Sequence, residues 1–439
     1  MERTLAKETV NKVDKEVLLK GWIKTRRDHG KLIFLDLYDR SGLVQMIVNP
    51  KVSEEAHKVA QEIKTEFVVE VVGKVNKRPQ NAINKDLITG EIEIEVLKIN
   101  ILSKAEALPF DMGVKDLNLE LPTLLDHRSL TLRHPKVAEI FKVQESVLEG
   151  FRKTVEKLGC TEIVVPTIVD SATEGGAELF EVSYYAYKTY LSQSPQLYKQ
   201  MMVPVFERVW TIAHAYRAEP SVTTRHLSET TQLDCEFGFV DFEELLGLLE
   251  KVAVEIFKYV QDSCKIEKIA FGSIPRLTLR QAQEIIFREF GKDVRQEKDL
   301  SPRDEVDICK WAKDKYKSDF VTITHFPTLA KPFYVMPDPK DEEYSLSFDL
   351  LFRGLEILSG SQRIHAYSKL LKSIKDRGMD TKNFEMYLMA FKYGMPQEGG
   401  FSFGLERMTM KLLNLSNIRE ASLFPRDMER VDERFSKSH

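Results

Sequence analysis

Between residues 17 and 103 apolar and polar positions alternate in short runs. The segments 16–24, 31–39 and 43–48 are rich in β-branched and large apolar residues, which predicts strands, and Gly30 and Ser41-Gly42 supply the turns. A helix-like stretch from Ser53 to Lys64 precedes two more strand patterns at 67–73 and 91–96. Residues 104–135, with Pro109, Gly113 and Pro122, show little periodicity and read as a linker. The period then changes. Val137, Ile140, Val143, Val147, Phe151, Val155 and Leu158 recur at helical spacing from Pro135 onward, and Gly159 ends the helix. A strand closed by Pro166 follows. Further strands are predicted at 205–217, 231–240, 319–324, 344–358 and 399–405, with helices at 241–263 and 278–290.

Three strands, a helix and two strands is the order of an OB-fold barrel, which commonly binds oligonucleotides; a generic small β-barrel fits the pattern as well. The rest, helices segregated against a mostly antiparallel sheet, reads as α+β. The expected organisation is a barrel domain over 1–103, a linker over 104–135 and a sheet domain over 136–439. A chain of 439 residues with 43% hydrophobic and 30% charged content reads as soluble and multidomain. No apolar run approaches the roughly 20 residues that span a bilayer, so no membrane is expected as partner. Cys160, Cys235, Cys264 and Cys309 lack CxxC spacing and read as reduced core residues of a cytoplasmic protein. Net charge is −4; residues 1–110 carry 19 basic against 17 acidic residues, hence +2, and the remainder 45 against 51, hence −6. Neither value decides for or against a nucleic acid, because binding needs only a local basic face.

Candidate chemistry changes the picture more than charge does. Ala215-Tyr216-Arg217-Ala218-Glu219 is followed by Thr224-Arg225-His226, then Asp234 and Glu236, and near the C-terminus by Gly399-Gly400-Phe401-Ser402-Phe403-Gly404-Leu405-Glu406-Arg407. Arg217 and Glu219, two apart on a predicted strand, point to one face and alone would read as a surface ion pair. In this order, after a long helix and a strand ending at Pro166, the segments resemble motifs 2 and 3 of the class II aminoacyl-tRNA synthetases. That resemblance implies ATP held bent over an antiparallel sheet, with the catalytic arginines Arg217 and Arg407 on either side. Arg217 would hold the α-phosphate, Glu219 the adenine region, and Arg225 and His226 the outer phosphates. Arg407 would stack over the adenine. Guanidinium groups suit such work because they stay charged and their planar forks match phosphate oxygens.

The octet Gln193-Ser194-Pro195-Gln196-Leu197-Tyr198-Lys199-Gln200 resembles the aspartyl-tRNA synthetase family, in which the counterparts of Gln196 and Lys199 grip aspartate. A lysine suits an anionic ligand, and an asparagine site would have no use for it. Ser359-Gly360-Ser361-Gln362-Arg363 is similar to a second grip, with Arg363 on the substrate carboxylate and Asp234 on the α-ammonium. Ala172 to Phe180 reads by itself as a flexible turn; the resemblance makes it a loop closing over aspartate, with Glu174 at its hinge. Asp349, Glu356 and Ser359 would hold Mg²⁺ against ATP, Glu356 belonging to both sites. Strand alternation over seven residues puts Asp349 and Glu356 on opposite faces, so a bend or bulge near Gly354 is expected.

Segments 26–34 and 39–45 resemble the anticodon-binding barrel of bacterial aspartyl enzymes. Phe34 would be a stacking platform, Gln45 a base reader, and Arg26, Arg27 and Lys31 contacts to phosphates or base edges. The competing reading buries Phe34 in the barrel core. The second half looks like the compact archaeal-type catalytic domain, since Glu236 to Asp349 leaves no room for a large insertion. The helix and Pro166 resemble motif 1, which implies a homodimer. The implied activity is aspartate–tRNA ligation from ATP and L-aspartate, with tRNA(Asp) as acceptor and tRNA(Asn) as a second candidate. Alternatives are a diverged paralogue that passes the adenylate to a non-tRNA acceptor, and a non-catalytic RNA-binding relative. Three residues depart from the family pattern near the ATP site: Glu398 stands for a histidine, Ser402 for a glycine and Thr230 for an aromatic.

Overall fold

A computed structural model describes residues 1–170, 178–220 and 223–431. The chain forms two compact units, Met1–Asn118 and Leu119–His439.

The first unit contains β1 (Glu16–His29), β2 (Leu32–Asp39), β3 (Gly42–Val48), α1 (Glu54–Glu62), β4 (Val68–Lys77) and β5 (Ile92–Ser103). The strands close into a barrel in the order β1-β2-β3-β5-β4. Alternation explains the closure: Val17, Leu19, Ile23, Ile33, Leu35, Leu37, Val44 and Met46 turn inward and are fully buried. α1 packs on β5. Its start is secured by Ser53, whose hydroxyl accepts from the Ala56 amide, with Glu54 and Glu55 in the first turn. β1 runs five residues beyond the predicted strand. Its polar end, Thr25 to His29, continues the antiparallel ladder with residues Leu32 to Asp36, so backbone pairing rather than burial extends it.

The second unit opens with two short helices, α2 (Leu121–Asp126) and α3 (Arg128–Thr131), inside the stretch read as linker. Next come α4 (Pro135–Lys157), β6 (Thr161–Glu162), β7 (Ile168–Val169), β8 (Glu181–Tyr184), β9 (Tyr187–Leu191) and α5 (Gln196–Phe206). β10 (Arg208–Tyr216), β11 (Glu229–Gly238), α6 (Phe242–Ser263), β12 (Arg276–Thr278), α7 (Leu279–Phe290) and α8 (Pro302–Tyr316) follow. The chain continues through β13 (Phe320–Thr324), β14 (Pro337–Asp338), β15 (Asp341–Ser345), β16 (Ser347–Phe352) and β17 (Leu355–Gln362). It closes with α9 (Tyr367–Asp376), α10 (Glu385–Lys392), β18 (Glu398–Gly404) and α11 (Leu405–Leu412).

An eight-stranded sheet runs β12-β13-β16-β17-β18-β11-β10-β6. Its inner pairs are antiparallel, and only the two edge pairings are parallel. α4 and α6 contact one another, and their apolar stripes share a core with the sheet. Phe151 of α4 meets Trp210 edge-on at 5.6 Å, and Phe257 of α6 sits 4.6 Å from Phe352 and 5.0 Å from Phe320. α6 starts at a capping box in which Asp241 and Glu244 bond each other's backbone amides.

The predicted strand at 344–358 is instead a hairpin. β16 and β17 turn at Arg353-Gly354, both in the left-handed region with φ of 46° and 78°. Likewise the strand predicted from 205 begins at Arg208, because residues 205–206 finish α5.

Candidate active site

Small residues on the middle strands leave room above the sheet. Gly360, Ser361, Ser402 and Gly404 help line a cavity of about 340 Å³ whose floor is β11, β17 and β18. A side chain on Gly400 would overlap the Glu236 carboxylate, so glycine there is what lets Glu236 lie flat against the strand. Gln196, Lys199, Arg217, Glu219, Arg225, His226, Asp234, Glu356, Ser359, Arg363 and Arg407 all reach this one cavity. They come from segments far apart in the chain.

At one end lies a buried charge cluster. Pro195 opens α5, whose first turns carry Gln196 and Lys199 inward. Lys199 is 1% exposed, and its Nζ lies 2.8 Å from Asp234 Oδ1 and 3.1 Å from Glu236 Oε2. Burial opposes its charge, but the two carboxylates outweigh that and hold the ammonium above its ordinary range. Arg363 donates from Nε to Glu236 Oε1 at 2.8 Å, and from Nη2 to Gln196 Oε1 at 3.1 Å and the Gly400 carbonyl at 3.0 Å. Its Nη1 bonds the Ser361 hydroxyl. Tyr334 lies under the guanidinium, 5.3 Å from ring centroid to Cζ. Ser402, the residue in place of a family glycine, donates to Asp234 Oδ2 at 3.0 Å.

The other end is more open. β10 stops at Tyr216, so Arg217 and Glu219 are on the segment beyond it rather than on the strand as expected; both still line the cavity, with guanidinium and carboxylate 3.9 Å apart. Arg225 pairs with Glu305 at 2.6 Å and donates to the Gly354 carbonyl at 3.0 Å. Arg407, in the first turn of α11, lies 3.2 Å from Glu356 Oε2. Burial, then the Arg407 charge, pushes the His226 imidazole below its ordinary range and keeps it neutral at pH 7. Thr230, in place of the family aromatic, lines the cavity opposite Ala215 in the ladder.

Asp349 and Ser359 face each other across β16 and β17, and a bulge between Leu350 and Leu351 offsets the register before Glu356. This bulge and the hairpin turn, rather than a bend in one strand, bring the two acids to one region. Burial, with Glu356 adding, pushes the Asp349 carboxyl up to about 7 against the pull of Lys331. Asp349 Oδ1 is buried and receives no hydrogen bond, while Lys331 Nζ lies 3.5 Å from Oδ2. Two close acids with an unanswered oxygen fit a divalent cation that completes its shell with substrate oxygens. Among the described residues no cluster of three or more acids, histidines or cysteines forms a metal cage.

Glu174 lies outside the described residues. Lys331, Glu305 and Tyr334 were not singled out from sequence. Glu305 lies in the first turn of α8, a helix the sequence reading does not predict, and its partner Arg225 is 80 residues away.

In the barrel, Phe34 is partly exposed, and its register partners Arg27 and Ile47 share its outward face. His29 meets its ring edge-on at 5.4 Å. Arg27 bonds Asp36 at 3.0 Å and Gln45 at 3.3 Å, so Arg27, Phe34 and Gln45 form one patch. Arg26 pairs in register with inward-facing Leu35 and donates to the Ala60 carbonyl of α1, which separates it from that patch. Lys31 is exposed in the β1–β2 turn.

Comparison with known proteins agrees with both units. Residues 17–102 match the OB-fold nucleic acid binding domain family. The aspartate–tRNA(Asp/Asn) ligase of Thermus thermophilus is 40% identical, over 98% of this chain and 99% of that protein. The aspartate–tRNA(Asp) ligase of Pyrococcus horikoshii is 38% identical, over 95% and 96%. Among solved structures, the asparaginyl-tRNA synthetase of Pyrococcus horikoshii complexed with asparaginyl-adenylate superposes with a TM-score of 0.88 at 31% identity, covering 98% and 99% of the two chains. The aspartyl-tRNA synthetase of Entamoeba histolytica gives 0.84 at 30%, covering 98% and 93%. Residues 120–428, which carry the cavity and every cation in it, match the family described as tRNA synthetases class II (D, K and N), and to that family this chain belongs.

Proposed function

We propose that this protein is a cytoplasmic, homodimeric aspartate–tRNA ligase. It activates L-aspartate with ATP and passes the aspartyl group to the 3′ end of tRNA(Asp). The observation that carries the choice of amino acid is the buried Lys199–Arg363 pair at the closed end of the cavity. By themselves the two cations are matched by Asp234 and Glu236. Once a substrate α-ammonium engages Asp234, one buried positive charge is left for the side chain, and an asparagine amide would leave it unanswered, a penalty large enough for strong discrimination. In this reading Lys199 and Arg363 take the side-chain carboxylate, which exchanges for the Ser361 contact on Nη1. Gln196 orients it, and Asp234 receives the α-ammonium.

Arg217 and Arg407 hold the triphosphate and adenine, and Arg225 and His226 the outer phosphates. Neutral His226 donates a hydrogen bond without adding charge. Asp349, Glu356 and Ser359 would hold Mg²⁺, which neutralises phosphate charge when bound. The aspartate carboxylate attacks the α-phosphorus, pyrophosphate leaves, and the terminal ribose hydroxyl then displaces AMP. Positioning and charge neutralisation carry the rate, so no protein nucleophile is required. On the barrel, Phe34 and Gln45 would meet an unstacked anticodon base, with Arg26, Arg27 and Lys31 on phosphates or base edges. Pro166 and exposed Val164 (96%) lie where motif 1 would join two protomers.

The deciding experiment is aminoacylation by purified protein with radiolabelled aspartate or asparagine and tRNA(Asp), tRNA(Asn) or neither. Aspartate charged to tRNA(Asp) is expected. tRNA(Asn) belongs in the assay because the Thermus relative's name gives both acceptors. Asparagine belongs there because of the Pyrococcus asparaginyl structure. Charging of asparagine alone would overturn the assignment, and adenylate formation without any charged tRNA would favour a paralogue with another acceptor.

A further inference from the structure

Glu398, the acid found where the resemblance leads one to expect a histidine, is completely buried at the start of β18. Its Oε1 accepts from Gln200 Nε2 at 2.7 Å, and Gln200 Oε1 in turn accepts from the Tyr387 hydroxyl at 3.1 Å. Its Oε2 finds no donor. On its other side stands Glu236. In the β11–β18 ladder Glu398 is opposite Gly238 and Glu236 is opposite Gly400, so the two acids are diagonal neighbours on one face, and the Glu236 carboxylate leans across the side-chain-free Gly400 between them. Both Glu236 oxygens are already taken, Oε1 by Arg363 and Oε2 by Lys199.

Two carboxyl groups in such contact do not both ionise. Glu236 faces two cations, which hold it below the ordinary carboxylate range although burial opposes this. Beside that carboxylate Glu398 is hydrogen-bonded only by the neutral Gln200 amide, with Arg363 a cation that favours its ionised form less strongly than burial opposes it. Burial first, then Glu236, pushes it well above the ordinary range. The proton therefore belongs on Glu398, and a proton there supplies the donor that the contact lacks. The buried groups then balance, with Lys199 and Arg363 against Asp234 and Glu236. An ionised Glu398 would add a negative charge beside the site meant for an anionic side chain.

We propose that Glu398 is a specificity-determining positioning residue: a neutral carboxylic acid that pins Glu236, and through it Arg363 and Lys199, so that the pocket accepts an anionic amino acid. The inference rests on reading this pocket as the aspartate site. It also gives this departure from the family pattern a physical role. A neutral acid can donate to Glu236 and accept from Gln200 at once, as a glutamine side chain also can.

The test is ATP–pyrophosphate exchange at pH 7.5 with aspartate and asparagine, using the full-length protein, Glu398→Gln and Glu398→Ala. Glu398→Gln should keep the aspartate KM within about threefold, since it reproduces both hydrogen bonds. Glu398→Ala should raise that KM by about tenfold or more with a smaller change in kcat, and lower the aspartate-to-asparagine preference by a similar factor. Equal impairment of both variants, or an alanine variant with unchanged aspartate KM, overturns the proposal. If the alanine variant shows no cooperative thermal melt, the glutamine variant decides alone, with retained KM supporting the proposal and lost KM overturning it. An unmutated protein that activates asparagine but not aspartate would instead overturn the reading of the pocket, and the inference with it.

Discussion

A lysine that is 1% exposed and still charged needs compensating carboxylates, and Asp234 and Glu236 supply them within 3.1 Å. Replacing it removes the cation and strands two acids. Lys199→Leu should lower kcat/KM for aspartate in pyrophosphate exchange by about a thousandfold, and unchanged exchange would take Lys199 out of aspartate recognition. Glu406 offers a second check. Both its oxygens accept from the Thr231 amide at 3.1 Å, and burial pushes its carboxyl up to about 7. The folded chain thus keeps a proton that the unfolded chain has lost, so stability is greatest below the ordinary carboxyl range and falls as pH rises toward 7. Glu406→Gln should therefore gain stability relative to the parent between pH 5 and pH 8, on the order of 1–3 kcal/mol in urea melts. Equal changes at both pH values would contradict it. Lys199, Arg217, Arg363 and Arg407 were legible because each sits in a contiguous motif. Glu305 and Lys331 were not, since what gives them meaning, Arg225 and Asp349, lies elsewhere in the chain.

At the scale of elements, periodicity served well where one face is buried and poorly where both are. α4 was predicted from Pro135 and matches within a residue, because its buried Val143, Val147, Phe151 and Val155 keep helical spacing. β16 and β17 merged into one predicted strand, because all six residues of β16 are buried and no alternation marks its end. Their turn was signalled only by Gly354. That glycine has φ of 78°, a Cβ there would approach Val306 Cγ2 to 2.8 Å, and its carbonyl holds Arg225. Gly354→Ala should cost about 1–2 kcal/mol in chemical denaturation. It should also raise the KM for ATP while leaving that for aspartate unchanged. A shift in both KM values would mean that the hairpin positions more than the phosphate end.

For the molecule as a whole, activation and acceptor recognition should separate by unit. Phe34→Ala, which removes a stacking platform, should raise the KM for tRNA by about tenfold while pyrophosphate exchange stays unchanged. Parallel losses in both would argue against the barrel patch as the acceptor contact. No helix among the described residues is long and apolar enough to cross a membrane. The amino-acid sequence by itself determined the barrel, the α+β sheet domain, the class II family and most of the cavity's cations. Alternation, helical period and contiguous motifs are local properties that a linear reading can recover. Only the tertiary structure decided which of those cations are already paired, that a bulge and a hairpin bring Asp349 and Glu356 together, and that Glu398 abuts Glu236. These depend on strand register and on residues such as 236 and 398, which are distant in the chain and meet only across neighbouring strands. Burial then turns that meeting into a question of where one proton resides.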